Sequence, residues 1–130
     1  MTRLVLVLLV ACGGKQPAPE GSPPFDAPAL AAELDGELAE VARILHDHRE
    51  DCPRMASELR AVFARMTASL ARAREAQQDP ERARQLTTAM RTYDAAAGAR
   101  MQQIEADFSV DAPCANDANV RSTMLSMPSL

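Results

Sequence analysis

The sequence has 130 residues, room for one domain, with 47% hydrophobic and 25% charged side chains, ordinary proportions for a folded chain. Aromatic residues make up 3%, with no Trp and one Tyr, and the net charge is −4, so the chain lacks the stacking rings and the positive field that nucleic-acid binding requires. Ala dominates, Leu, Met, Arg and Glu follow, and β-branched residues are sparse beyond the first ten positions, a helix-forming composition.

The chain opens with a lone basic residue, Arg3, an apolar run from Leu4 to Val10, and then Ala11-Cys12-Gly13-Gly14. A basic start, a short apolar run and a small residue are the parts of an export signal, and the run is too short to span a bilayer. Leu9-Val10-Ala11-Cys12 resembles the lipobox of bacterial lipoproteins. That resemblance implies a signal peptide over residues 1–11, cleavage after Ala11, and a diacylglycerol thioether on Cys12, which becomes the first residue of the mature chain. Acyl chains contribute about 0.8 kcal/mol per buried methylene, so such an anchor holds almost irreversibly. Gly13 stands where an Asp would signal retention in the inner membrane, which implies an outer-membrane location facing the periplasm. More loosely, the whole chain resembles small alanine- and arginine-rich bacterial lipoproteins.

Residues 12–27 read as the lipidated cysteine and a tether. The stretch is rich in Gly and Pro, and Pro17, Pro19, Pro23 and Pro24 favour polyproline II at about 3.1 Å per residue.

Residues 28–108 read as three helices. Asp26-Ala27-Pro28 is a helix start, and behind it Leu30, Leu34, Leu38, Val41, Leu45 and His48 recur at steps of three and four. Pro53 ends that helix and begins a second, striped with Met55, Leu59, Val62, Met66, Leu70 and Ala73 and widened by Phe63. Asp79-Pro80-Glu81 opens a third, with Leu86, Met90, Tyr93, Ala97, Met101, Ile104 and Phe108 expected on one inward face. Such helices, joined by short connections, are expected to fold as an all-α, antiparallel, up-down-up three-helix bundle. The acids of helix 1 (Glu33, Asp35, Glu37, Glu40, Asp47 and Glu50) face a basic helix 2 with Arg54, Arg60, Arg65, Arg72 and Arg74. Exposed pairs of this kind contribute under about 1 kcal/mol each.

Residues 109–130 form a tail. Asp111-Ala112-Pro113 repeats the Asp-Ala-Pro of the first helix start, and a short fourth helix from about residue 115 to 127 can place Val120, Met124 and Met127 on the bundle. The alternative is an apolar tail left for a partner, because Asn and Ser make this helix marginal alone.

With Cys12 assigned to lipid, Cys52 and Cys114 remain, in a compartment that permits disulfides. The up-down-up layout puts the start of helix 2 and the end of helix 3 at one end, so the two are expected to bond. Metal-ligand types gather only around residues 46–52, where His46 and Glu50 are weak candidates at i, i+4; no HExxH or CxxC spacing is present, and neither a metal nor another cofactor is expected. No nucleophile elbow or phosphate-binding glycine loop occurs, so no enzyme activity and no catalytic residue is expected. The leading expectation is an anchored envelope module whose head binds another envelope macromolecule through the acidic face of helix 1 and the tail. The alternative is a periplasmic helical bundle that binds a small ligand or a metal.

Overall fold

Aspartate carboxylates open four helices. Asp26 accepts the Ala29 N–H (3.0 Å) at the head of α1 (Ala27–Asp47) and Asp51 accepts the Arg54 N–H (3.2 Å) at the head of α2 (Cys52–Gln77). Asp79 accepts two, from Glu81 and Arg82 (2.9 Å each), before α3 (Pro80–Met90), and Asp117 accepts from Val120 (2.9 Å) before α5 (Ala118–Leu125). Each satisfies amides that the first turn leaves without partners and contributes about 1 kcal/mol. Pro28, Pro53 and Pro80 fall in first turns, where a missing N–H costs nothing. These elements belong to a computed structural model that describes residues 24–130, which hold helices and turns and no strand. The lipobox, Cys12 and the tether up to residue 23 lie outside the described residues.

The third helix is not continuous. After α3 the chain passes through a 3₁₀ turn, Arg91–Tyr93, and resumes as α4 (Asp94–Asp107), whose start has no side-chain cap. The tail differs as well. Asp111-Ala112-Pro113 opens a turn, closed by the Ala112 N–H on Ser109 O and the Ala115 N–H on Ala112 O, and the helix begins at Ala118, behind the Asp117 cap. The domain also begins earlier than residue 28: Ala27 is buried, and Phe25 packs on the core with the Arg82 guanidinium 5.6 Å from its ring centroid.

Burial follows the stripes in α1 and α2. Leu30, Leu34, Val41, Ile44 and Leu45 meet Met55, Leu59, Val62, Met66 and Ala73. Ala56, Phe63 and Leu70, seven residues apart, widen the buried face of α2 so that it packs on α1 and α3 and also receives α5. Cross-helix pairs give the relative run of the helices. Glu33 with Arg72, Glu37 with Ser69, and Glu40 with Arg65 ascend α1 as they descend α2. Asp35 with Arg100, and His46 with Asp107, ascend both α1 and α4.

α4 is the weakly buried element. It packs chiefly on α1 and contains no fully buried residue; Ala97, Arg100, Ile104 and Asp107 are partly buried. Met101, expected inward, is 54% exposed. The reason is electrostatic: Arg100 makes a two-pronged pair with Asp35 (2.8 and 3.3 Å) at 14% and 16% side-chain exposure, and Asp107 meets His46. These polar groups centre the inward face of α4 and turn Met101 to its edge.

Candidate interaction surface

The acids of helix 1, expected to be available to a partner, are largely engaged within the molecule. Arg72 donates to Glu33 (2.5 Å), Arg65 to Glu40 (2.6 Å), Arg43 to Asp47 (3.0 Å) and Arg100 to Asp35. Glu37 is the exceptional one, buried at 8% exposure and accepting the hydroxyl of fully buried Ser69 at 2.5 Å. Of the stripe, Asp35 and Glu37 are enclosed between helices, while Glu33, Glu40 and Asp47 are paired at the surface with side chains 42%, 39% and 45% exposed. Of the five arginines of helix 2, Arg65 and Arg72 pair with acids of helix 1, while Arg54 pairs with Glu58 of its own helix and Arg74 with the Ser129 carbonyl.

The metal candidates separate. α1 ends at Asp47, so Glu50 lies in the following turn and does not share a helical face with His46. The His46 Nδ1 instead lies 3.0 Å from Asp107 Oδ2, and His48, the C-cap residue of α1, places Nε2 3.0 Å from Glu58 Oε2. Glu58 also accepts from Arg54 Nε (3.1 Å). The Arg54 hydrogen bond is the main cause that holds the Glu58 carboxyl below the usual carboxylate range; desolvation opposes it, and the hydrogen bond and charge of His48 add to the lowering. Among the described residues no three His, Cys, Asp or Glu side chains converge as metal ligands would.

At the same end Cys52, the first residue of α2, and buried Cys114 have sulfurs at disulfide distance, with Cα atoms 5.2 Å apart. Joined, they hold the turn before α5 against the head of α2. From there the tail lies along α2 with Val120 and Thr123 buried, and Arg74, in the last turn of α2, donates to the Ser129 carbonyl (2.7 Å).

Two surface features remain unused by the head. A groove of about 480 Å³ runs between α1 and α4, lined by Ala39, Ala42, Ala96 and Ala99 together with Arg43, His46, Asp47, Arg100 and Gln103. Small residues let a facing element approach closely, and the exposed Met101 lies on the same helix. A second concavity, about 570 Å³, lies between residues 24–28 and α3, beside Phe25 and Arg84. Exposed apolar side chains outside α4 are Val110, Leu125, Met127 and Leu130. No described helix is long and apolar enough to cross a membrane. Compared with known proteins, the chain matches no family model, no curated protein and no solved structure.

Proposed function

We propose that the chain is a membrane-anchored module of the bacterial envelope whose helical head binds another envelope macromolecule. Lipid on Cys12 supplies the anchor, the Gly- and Pro-rich stretch up to residue 23 the spacer, and residues 24–130 the head, placed on the outer membrane facing the periplasm. Leu9-Val10-Ala11-Cys12 supports the anchor, and Gly13 supports the outer membrane. The Cys52 and Cys114 sulfurs at disulfide distance suit an oxidising compartment. The head is an up-down-up bundle with its third member broken at Arg91–Tyr93. The opposed order of the α1–α2 pairs and the matched order of the α1–α4 pairs support this topology.

The observation that carries the binding role is the state of α4. A helix of 14 residues with no buried side chain, a neighbour on one flank and an alanine-lined groove beside it is a surface that a facing helix or loop can complete. Anchoring adds effective concentration for a partner confined to the same space. An alkynyl fatty acid should label wild-type protein in cells and leave Cys12→Ser unlabelled. A photo-cross-linker at Ala99 or Met101 should capture a defined macromolecule that the same group at exposed Ala61 on α2 does not. Capture that is equal at both positions refutes the α4 surface. Absence of capture, with a small molecule co-purifying in stoichiometric amount, replaces the reading with ligand binding.

A further inference from the structure

We propose that the Cys52–Cys114 bond is a redox-sensitive staple, and that a dithiol which reduces it releases α4 and the tail from a framework of α1, α2 and α3 that stays folded. Such a staple acts whatever anchors the chain. The reason lies in where burial falls. After Leu86 the buried residues are Cys114, Val120 and Thr123, none more than nine positions from the bonded cysteine, and every other buried residue belongs to α1, α2 or α3. What else holds residues 94–130 is polar or half-buried. Arg100 meets Asp35 and Asp107 meets His46 along α1, and Arg74 holds the Ser129 carbonyl. Ile104, Phe108 and Met124 add partial burial against the core. Surface pairs contribute little, and desolvation offsets much of what the more enclosed Arg100–Asp35 pair gives. A helix of eight residues such as α5 is marginal unless something fixes it.

The chain between the 3₁₀ turn at Tyr93 and Cys114 is thus a strap fixed at two ends, continuous with α3 at one and bonded to the head of α2 at the other. If the strap lifts while the bond is intact, it remains a closed loop of about twenty residues, and the entropy so withheld keeps α4 seated. With the bond cut, the strap and α5 become a free end. Cys114 is fully buried and Cys52 partly exposed, so a thiolate of the dithiol attacks the Cys52 sulfur. A mixed disulfide forms there, the Cys52–Cys114 bond breaks, and Cys114 leaves as a thiolate that takes a proton from water. The second thiol of the reductant, deprotonated, attacks its partner sulfur; Cys52 leaves and is protonated, and the reductant departs as its own disulfide, two electrons poorer. The Arg49 carbonyl, 3.4 Å from the Cys114 sulfur, offers the new thiol one acceptor, a weak bond in place of a covalent one. Release uncovers the flank of α1 under α4 and that of α2 under α5, and the groove between α1 and α4 belongs to the oxidised head alone.

The experiment uses the full chain carrying Cys12→Ser, which leaves Cys52 and Cys114 as its cysteines. Amide exchange is followed by mass spectrometry in oxidised protein, in protein reduced with dithiothreitol, and after reoxidation. Reduction should speed exchange in α4 and α5 by about a hundred-fold, the order expected when a loop of about twenty residues is opened, while α1 and α2 keep their protection. Reoxidation should restore the slow exchange. Cys52→Ser in the same background should exchange as the reduced protein does, with or without dithiothreitol, which separates loss of the bond from any other action of the reagent. Exchange in α4 and α5 that is unchanged by reduction overturns the proposal, because the strap is then held without the bond. Quickening that extends equally through α1 and α2 also overturns it, because the bond then holds the whole head and not one part. Two free thiols in protein isolated without reductant remove the staple itself.

Discussion

The pair most informative to break is Glu37–Ser69, because it puts a carboxylate in the α1–α2 seam with one side-chain partner. Ser69→Ala removes the hydroxyl that Glu37 accepts at 2.5 Å, and neither residue has water to replace it, at 8% and 0% exposure. A hydrogen bond to a charged group contributes about 1.5–3 kcal/mol when its loss leaves a buried charge short of a donor. Alanine returns about 0.5 kcal/mol through its helix propensity. The net loss is roughly 1–2.5 kcal/mol, and with a urea slope of about 1–3 kcal/mol/M the midpoint falls by on the order of 1 M at constant slope. Glu37→Met removes the charge and keeps the volume, so it is neutral or stabilising. In that background Ser69→Ala should then cost little, giving a coupling of about 1–2 kcal/mol in a double-mutant cycle. An unchanged midpoint for Ser69→Ala, or additive effects in the cycle, would refute the reasoning.

Three further outcomes are expected. The Cys52–Cys114 pair closes 62 residues, so Cys52→Ser should lose up to about 4 kcal/mol, read as a fall in melting temperature equal to that of reduced wild type; two titratable thiols in protein isolated oxidised would contradict it. Asp35→Asn leaves the Arg100 guanidinium short of its carboxylate at 14% exposure, costing about 2 kcal/mol once partial solvation is discounted; amide exchange should quicken in α4 and stay unchanged in α2, and uniform quickening would show that α4 is not held separately. Glu58 is held below the usual carboxylate range in the folded chain, so its contribution to stability is present above that range and is lost as pH falls through its folded value. Carbon-detected NMR titration should show Glu58 moving up toward the ordinary range in Arg54→Ala, and an unmoved value would exclude Arg54 as the cause.

Helix starts were legible at Asp26, Pro53 and Asp79 because their chemistry is local: Asp26 and Asp79 cap amides within three residues, and Pro53 falls in the first turn of α2. Stripes were legible in α1 and α2, where apolar side chains alone decide which face turns inward. The same rule failed in α4. There Arg100 and Asp107, absent from the expected inward stripe, point to Asp35 and His46, and no window of the sequence contains partners 65 and 61 residues away. The attraction of an acidic helix 1 to a basic helix 2 was legible, but which acid meets which arginine was not, because that needs the register. The short tail helix expected from about residue 115 to 127 is present as Ala118–Leu125, and only the role of Asp111-Ala112-Pro113 differs. That triplet repeats a helix start, but bonding of Cys114 to the head of α2 fixes the stretch as a turn.

The position of the Cys52–Cys114 pair has a mechanical consequence. Any pull on the chain ahead of residue 24 is delivered to α1, and α1 precedes Cys52, outside the loop that the two cysteines close. The crosslink therefore protects α2, α3 and α4 from extension but bears none of the load on α1. Resistance falls first to Phe25 against Arg82, then to the Glu33–Arg72 and Asp35–Arg100 pairs in sequence. Force would peel α1 from its near end while the rest stays tied, and α1 could re-seat on a template that never came apart.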